Sequence, residues 1–309
     1  MKIILGSMTF GDQVDHQGAQ HMVGTFAADG HCEVDTAYVY CGGKTETLLG
    51  EIKQDLGSCK LATKVNPKEG GLGKASIDKQ FSVSLQRLDV DAVDLLYLHQ
   101  PDLDTPIETS LAAINEHHAA GRISRFGLSN YAAWQVADIV RICEREGFIT
   151  PSVYQGMYNA LTRDVERELL PCLANFNIAF YVYNPLAGGM LTGKHHSQAQ
   201  LPADGRFSTN TEYQNRYWKK DYFEAIENFA KACKAEQTEP AAAALRWLTH
   251  HSALQSAKGD GIILGASKPD HFNANLTATR EGPLPDSIIA AIDGGWALSR
   301  ADCIKYFRP

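Results

Sequence analysis

Short apolar runs recur at residues 3–5, 32–34, 60–63, 93–98, 123–128, 152–154, 178–183 and 261–264. They are mostly non-alternating, as strands buried on both faces are. Helical patterns lie between them. Thr105-Pro106-Ile107-Glu108 reads as a capping box with Pro at the first helical position. Ile107, Leu111 and Ile114 then share one face, and Gly121 supplies the stop. Asn130 stands where it could cap the next helix, whose stripe is Val136, Ile139, Val140 and Cys143, with Gly147 at its end. Another helix starts near Asp164 and runs through Val165, Leu169 and Leu173. Pro171 lies inside it and predicts a kink or break. Two later helices, at 222–234 and 240–250, precede the last strand, and the tail after Pro285 is helical.

A strand-then-helix unit repeated about eight times without a composition shift predicts an α/β fold, a single (β/α)₈ TIM barrel spanning 1–309 as one domain. A doubly wound sheet is the competing arrangement. If it bound a dinucleotide, it would offer a glycine-rich turn after its first strand. The turn here, Gly6-Ser7-Met8-Thr9-Phe10-Gly11, is not GxGxxG, and Gly43-Lys44-Thr45 lacks the upstream glycine of a Walker sequence. The polar stretch 195–220 has no clear period. It reads as a long loop after the seventh strand, over the mouth of the barrel.

The 309 residues are 44% hydrophobic and 21% charged, with a net charge of −7, an ordinary globular composition. No general basic field exists for nucleic acid or an anionic membrane, so an anionic ligand would need a local cationic pocket. No apolar run approaches a membrane span or signal peptide. The seven cysteines are scattered without a CxxC, which suggests a reduced, cytoplasmic protein. The doublets His117-His118, His195-His196 and His250-His251 lack HExxH spacing, so no metal site is expected. Cys41 reads as an inert loop thiol, although its place beside Tyr40 leaves reactivity open.

In such a barrel, chemistry sits where strands end. The second run ends at Asp35, shortly before Tyr40. The third ends at Lys64, the fourth at His99, the fifth at Ser129-Asn130, the sixth at Gln155 and the seventh at Tyr183-Asn184. Asp35, Tyr40, Lys64 and His99 make a proton-transfer set. A lysine ammonium beside Tyr40 would lower its pKa, Asp35 would hold Lys64 charged, and His99 would hydrogen-bond a carbonyl oxygen. The alternative is a buried Asp–Lys pair with a core histidine and tyrosine.

These segments carry a resemblance over nearly the whole chain. Leu5-Gly6-Ser7-Met8-Thr9-Phe10-Gly11, Asp35-Thr36-Ala37-Tyr38-Val39-Tyr40, Ala62-Thr63-Lys64-Val65, Leu95-Leu96-Tyr97-Leu98-His99, Gly127-Leu128-Ser129-Asn130-Tyr131 and the run from Tyr183 to Gly189 resemble the aldo-keto reductase superfamily. Tyr154-Gln155-Gly156-Met157-Tyr158-Asn159 and the terminal Tyr306-Phe307-Arg308 are most similar to its aflatoxin-aldehyde and succinic-semialdehyde reductase branch. The resemblance implies NADPH-dependent reduction of aldehydes, possible also for ketones and dicarbonyls, with Tyr40 as acid, Lys64 and Asp35 tuning it, and His99 placing the carbonyl. It implies NADPH/NADP+ extended across the barrel mouth. Ser129, Asn130 and Gln155 would bind the carboxamide and Tyr183 would stack on the nicotinamide. Met8, Asp35, Asn184 and Leu186 would add further contacts. Gly188, Lys194 and Arg206 match pyrophosphate positions. Gly265, Ser267, Lys268, His271 and Asn275 match the adenosine-phosphate end, where Lys268 and His271 depart from the usual residues.

Val39, between Tyr38 and Tyr40, is expected to face the substrate beside Tyr40 and His99. Arg216 and Arg308 match the substrate-end positions of the branch that accepts carboxylated aldehydes, and a guanidinium suits a carboxylate. The expected partner is a small-molecule aldehyde, with no nucleic acid and no membrane, and a homodimer is consistent with related members. Two other functions stay open: a Schiff-base aldolase using Lys64, and an NADPH-binding regulatory subunit resembling potassium-channel beta subunits.

Overall fold

Among the residues described in the computed structural model, eight parallel strands close into a barrel in sequence order. Those residues are the whole chain except His196, Gln200, Asp204 and Pro309 and the side chain of Thr209. The strands are β1 Lys2–Gly6, β2 Glu33–Asp35, β3 Lys60–Val65, β4 Val93–Leu98, β5 Ile123–Ser129, β6 Pro151–Met157, β7 Ala179–Tyr183 and β8 Gly261–Leu264. Closure is made by β1, where Leu5 pairs with Val34 on one side and Leu264 on the other. The doubly wound alternative is thereby excluded.

Strand side chains alternate between two cores, as a period of two requires. Ile4, Leu95, Tyr97, Val153, Tyr181 and Ile263 fill the barrel interior. Leu5, Leu96, Leu98, Leu128, Phe180 and Val182 face outward into the larger core shared with the helices. Tyr97 has room inside the barrel because β5 carries Gly127 beside it. A Cβ there would lie 2.5 Å from the Tyr97 ring. At the N-terminal end of the barrel Lys2, Glu33, Asp94, Arg125 and Tyr181 form a linked polar plug.

Several local expectations need correction. The helix after β4 spans Ile107–Ala119, and Pro106 rather than Thr105 flanks it. Thr105 instead hydrogen-bonds Asp102. The helix after β5 spans Ala133–Glu146, and the Gln135 side chain accepts the Ala132 N–H at 2.8 Å. Asn130 caps nothing. It adopts a positive φ of 65° that turns its amide toward the barrel end. The break near Pro171 falls before it, between a 3₁₀ turn Asp164–Glu166 and the helix Leu169–Asn175. Pro171 then lies in a first turn, where its missing N–H costs no intrahelical bond.

The mouth segment is not one loop. It contains the helices Arg206–Thr209 and Thr211–Tyr217, preceded by a 3₁₀ segment Ala187–Thr192. Phe207, Tyr213, Tyr217 and Trp218 pack edge to face or tilted on one another and hold it down. Helices of one or two turns leave no periodicity to read. The later helices are Lys220–Ala235, Pro240–His250, Pro269–Ala278 and Asp286–Ser299. Among the described residues no helix is long and apolar enough to cross a membrane.

Candidate active site

The C-terminal ends of the strands open into a cavity of about 1570 Å³. At its floor Asp35, Tyr40, Lys64 and His99 come together. Lys64, on β3, is wholly buried. Its Nζ donates to Asp35 Oδ2 and the Thr36 carbonyl, each at 2.7 Å, and to the Tyr40 hydroxyl at 3.3 Å. Gln155 reaches from β6 and donates to the other Asp35 oxygen at 2.8 Å. Both carboxylate oxygens are therefore engaged. The Tyr40 ring meets the His99 ring edge to face, with centroids 6.0 Å apart.

Electrostatics here are set first by burial. Loss of solvent pushes the Asp35 carboxyl up and the Lys64 ammonium down, each opposed by the other's charge. Tyr40 is the correction to the sequence-based expectation. Its phenol is raised well above the ordinary value, by burial and then by the Asp35 carboxylate, with Arg206 and Arg308 pulling the other way. It keeps its proton. His99 is driven well below its usual value by burial and by the Lys64, Arg308 and Lys68 charges. The group thus presents a protonated phenol and a neutral imidazole to one cavity.

The remaining strand-end residues form the next layer. Asn130 Nδ2 donates to the His99 carbonyl and to Ser129 Oγ, both at 2.9 Å, while Tyr183 donates its hydroxyl proton to Asn130 Oδ1 at 2.8 Å. Asn184 accepts from the Tyr213 hydroxyl at 3.0 Å. Its buried Nδ2 has no hydrogen-bond partner among the described residues. Met8, Leu186, Gly188, Lys194, Arg206, Gly265, Ser267, Lys268, His271 and Asn275 line the same cavity. Lys268 sits at the N-terminus of the ten-residue helix Pro269–Ala278. His271 and Asn275 follow on that helix, four residues apart. Gly188 has a positive φ of 68°, and a Cβ on it would strike the Tyr213 ring at 2.6 Å.

Two expected residues stand elsewhere. Val39 is not part of the cavity wall; of the run Tyr38–Tyr40 only Tyr40 lines it. Lys64 also does not line the cavity. It lies behind Tyr40. Arg216 and Arg308 do reach the mouth from opposite segments and are joined there by Glu212, 3.1 Å from Arg216 and 3.6 Å from Arg308. Arg308 also donates to Gln100 Oε1 at 2.9 Å, and its backbone N–H donates to the Asn130 carbonyl at 2.9 Å. Tyr213, Glu212, Gln100 and Asn66 escaped the sequence reading. Tyr213 and Glu212 fall in the stretch marked as irregular, and Asn66 directly follows β3, but none belongs to a periodic pattern.

Among the described residues no group of three or more His, Cys, Asp or Glu side chains is placed to hold a metal ion. His117 packs against Phe81 and lies 2.9 Å from Asp78, and His250 bonds the Glu281 carbonyl. His195 stacks edge-on with Phe207 and Trp218, whereas His196 lies outside the described residues. The Cys41 thiol hydrogen-bonds the Met8 carbonyl at 3.3 Å.

Comparison with known proteins places these features in a wider set. The sequence profile described as "Aldo/keto reductase family" matches residues 2–297. The chain is 46% identical to the mouse protein named aflatoxin B1 aldehyde reductase member 2, over 99% of this chain and 87% of that one. It is 44% identical to human aldo-keto reductase family 7 member A3, over 99% and 96% respectively. An aldo-keto reductase of the fungus Pseudocercospora fijiensis is 38% identical, over 93% of this chain and the whole of that one.

Proposed function

Because this chain belongs to the aldo/keto reductase family and is an enzyme of that family, we propose that it reduces small aldehydes to alcohols with NADPH, using Tyr40 as the general acid. The observation that carries this reading is the phenol of Tyr40 on the cavity floor, protonated and 3.3 Å from the Lys64 ammonium, with the neutral His99 ring beside it. Bound NADPH supplies the hydride. His99 orients the carbonyl oxygen by donating a hydrogen bond to it. Tyr40 delivers its proton to the oxygen as negative charge develops there, and the Lys64–Asp35 pair holds the phenol in place. Ketones and dicarbonyls of suitable size fit the same chemistry.

The cavity suits a dinucleotide better than an aldehyde alone, being larger than the ~300–1,000 Å³ typical of small-ligand sites. Ser129, Asn130 and Gln155 offer the mixed donors and acceptors that a carboxamide needs. Asn184 Nδ2 is a buried donor awaiting an acceptor. Lys268, at a helix N-terminus, gives the adenosine phosphate a cation and free backbone N–H groups together. The Schiff-base reading fails on geometry, since an amine that adds to a carbonyl must reach it and Lys64 is fully buried behind Tyr40. The joined Arg216 and Arg308 favour substrates carrying a carboxylate at the far end from the aldehyde.

Tyr40→Phe tests the acid. NADPH oxidation with a simple aldehyde should fall by ~10²–10⁴-fold while NADPH still binds. Near-normal turnover in that variant would remove Tyr40 from the role. A wild-type protein that binds NADPH and turns over no aldehyde would instead be a binding subunit. Lys268→Ala tests the cofactor. One charge-assisted phosphate contact contributes roughly 1.5–3 kcal/mol, more than about tenfold in affinity. Fluorescence titration should show the NADPH/NADH ratio narrowing by that factor. An unchanged ratio places the phosphate elsewhere.

A further inference from the structure

His99 has two ring nitrogens, and only one can hold a proton while the ring is neutral. Nδ1 lies 3.3 Å from Asn66 Nδ2. Which end of the Asn66 amide faces the ring is fixed by its other partner. Asn66 Oδ1 accepts the Lys68 backbone N–H at 3.0 Å, which only an oxygen can do. The amide nitrogen must therefore be the end that points at His99, and Nδ1 must be its acceptor.

Asn66 is itself clamped. The buried Gln80, on the helix Lys74–Leu88, accepts the Asn66 backbone N–H at 2.8 Å and donates to the Asn66 carbonyl at 3.0 Å. The two backbone groups fix the sense of the Gln80 amide, since an N–H only donates and a carbonyl only accepts, and Gln80 Nε2 also donates to Ser76 Oγ at 3.0 Å. This two-pronged grip holds the Asn66 backbone just beyond β3, on the side where the His99 ring leaves β4. The His99 main chain is tied separately, since its N–H donates to the Val65 carbonyl and its carbonyl accepts from Asn130.

We infer that Asn66 is a positioning residue for the reduction: by donating to Nδ1 it fixes the proton of His99 on Nε2, so that the ring offers a donor to the substrate oxygen and never a bare lone pair. This rests on the reductase reading above for its purpose, but the proton's location does not depend on turnover. The charged and titratable groups facing the ring are Lys64 from β3, Lys68 from the turn after it, Arg308 from the tail and the Tyr40 phenol. The three cations all oppose a second ring proton. With the ring neutral, a lone tautomer is needed for a defined hydrogen bond, and among the described residues no group other than Asn66 Nδ2 bonds Nδ1.

The first test is made on the cofactor-free protein labelled with ¹⁵N-histidine, with His99 identified by the resonances lost in His99→Gln. Nδ1 should be unprotonated and Nε2 protonated, without change between about pH 6 and about pH 8, where an ordinary histidine titrates. A protonated Nδ1 in the neutral ring overturns the proposal, whatever the activity data show. Asn66→Asp is the second test. A carboxylate cannot donate, so the neutral ring should move its proton to Nδ1, and the imidazolium should become populated on the acid side. With an uncharged aldehyde, kcat/KM of Asn66→Asp should fall at about pH 8 and recover toward about pH 6, as imidazolium restores Nε2–H. Asn66→Leu removes the donor without adding charge. It should lose roughly 2- to 10-fold at every pH, the worth of one ordinary hydrogen bond, and show both tautomers. An Asn66→Asp profile parallel to the wild type, with only a uniform loss, assigns Asn66 a purely structural role. If Asn66→Asp does not fold, the ring resonances of the wild type decide the question alone.

Discussion

Tyr40 could act as an acid in two ways that differ in their dependence on pH. A neighbouring ammonium lowers a phenol's pKa, and burial beside a carboxylate raises it. Lys64 is directed first at Asp35 and the Thr36 carbonyl, at 2.7 Å each, and only then at Tyr40, at 3.3 Å. Burial and Asp35 prevail, and the phenol lies well above the ordinary tyrosine value. A raised phenol stays protonated, and so competent to donate, at every pH below that folded value. Single-turnover reduction by the wild type should therefore remain flat as pH rises toward about 10, the free tyrosine value. A phenol lowered by Lys64 would instead lose rate from about pH 8 upward. Such a decline in the chemical step would restore the tyrosinate picture. That Asp35, Tyr40, Lys64 and His99 would come together was legible because Asp35, Lys64 and His99 stand where apolar runs stop. The sign of the Tyr40 shift was not, since it depends on which acceptors Lys64 meets first. Asn66 was equally hidden, because its role comes from a bond across two strands.

The mouth is built by two elements distant in sequence. The helix Thr211–Tyr217 brings Glu212, Tyr213 and Arg216, and the chain end brings Arg308. The tail is pinned on the way: the Tyr306 hydroxyl accepts the Ala133 N–H and donates to Glu168, each at 3.0 Å. Tyr213 lies between the Arg206 and Arg216 guanidinium groups, 4.8 and 5.1 Å from its ring centroid. Glu212 then takes the position between Arg216 and Arg308 that a substrate carboxylate would take. On the proposed carboxylate reading it competes with such a substrate, so removing its charge should help an aldehyde acid and leave an uncharged aldehyde of equal length alone. Glu212 is exposed, so the gain is that of a surface ion pair: Glu212→Gln should lower KM for the acid by about two- to fivefold. Arg216→Ala should raise it by roughly tenfold or more, the value of a charge-assisted bond. If Arg216→Ala affects both substrates equally, the arginine only holds the mouth helix Thr211–Tyr217 in place and the carboxylate reading fails. If Arg216→Ala behaves as expected while Glu212→Gln changes nothing, only the competition is wrong. The two arginines were visible in sequence as isolated charges. Their meeting on Glu212 was not, because the helix that carries it is too short to declare a face.

The barrel divides its labour between its ends. Strand runs were readable from the apolar pattern, since parallel strands covered on both faces leave short continuous runs, but such runs do not tell inward from outward positions. What the pattern could not show is how the end opposite the mouth is closed. There Lys2 and the Tyr181 hydroxyl bond Glu33 at 2.8 Å each, and Arg125 reaches Glu33 at 3.1 Å and Asp94 at 2.8 Å. These residues come from β1, β2, β4, β5 and β7, so the network ties distant parts of one closed sheet. Burial alone would push the Glu33 carboxyl up, but the bond from Lys2, the Arg125 charge and the Tyr181 hydroxyl outweigh it, and the net direction is down. A carboxyl held below its unfolded value stabilises the fold above that unfolded value, about 4.3 for Glu. The contribution is lost as pH falls from there through the lower folded value. Glu33→Gln should therefore melt earlier than the wild type near pH 7, by the equivalent of about 1–3 kcal/mol for a part-buried acceptor with charged partners. The gap should narrow below about pH 4, as the wild-type carboxyl itself takes up a proton. Cofactor affinity and turnover should be unchanged in this variant, because Glu33 lies at the far end of the barrel from the cavity. Thermal melts at several pH values in which the two proteins differ by the same amount throughout would show that the Glu33 charge contributes nothing, and that the plug acts through shape alone.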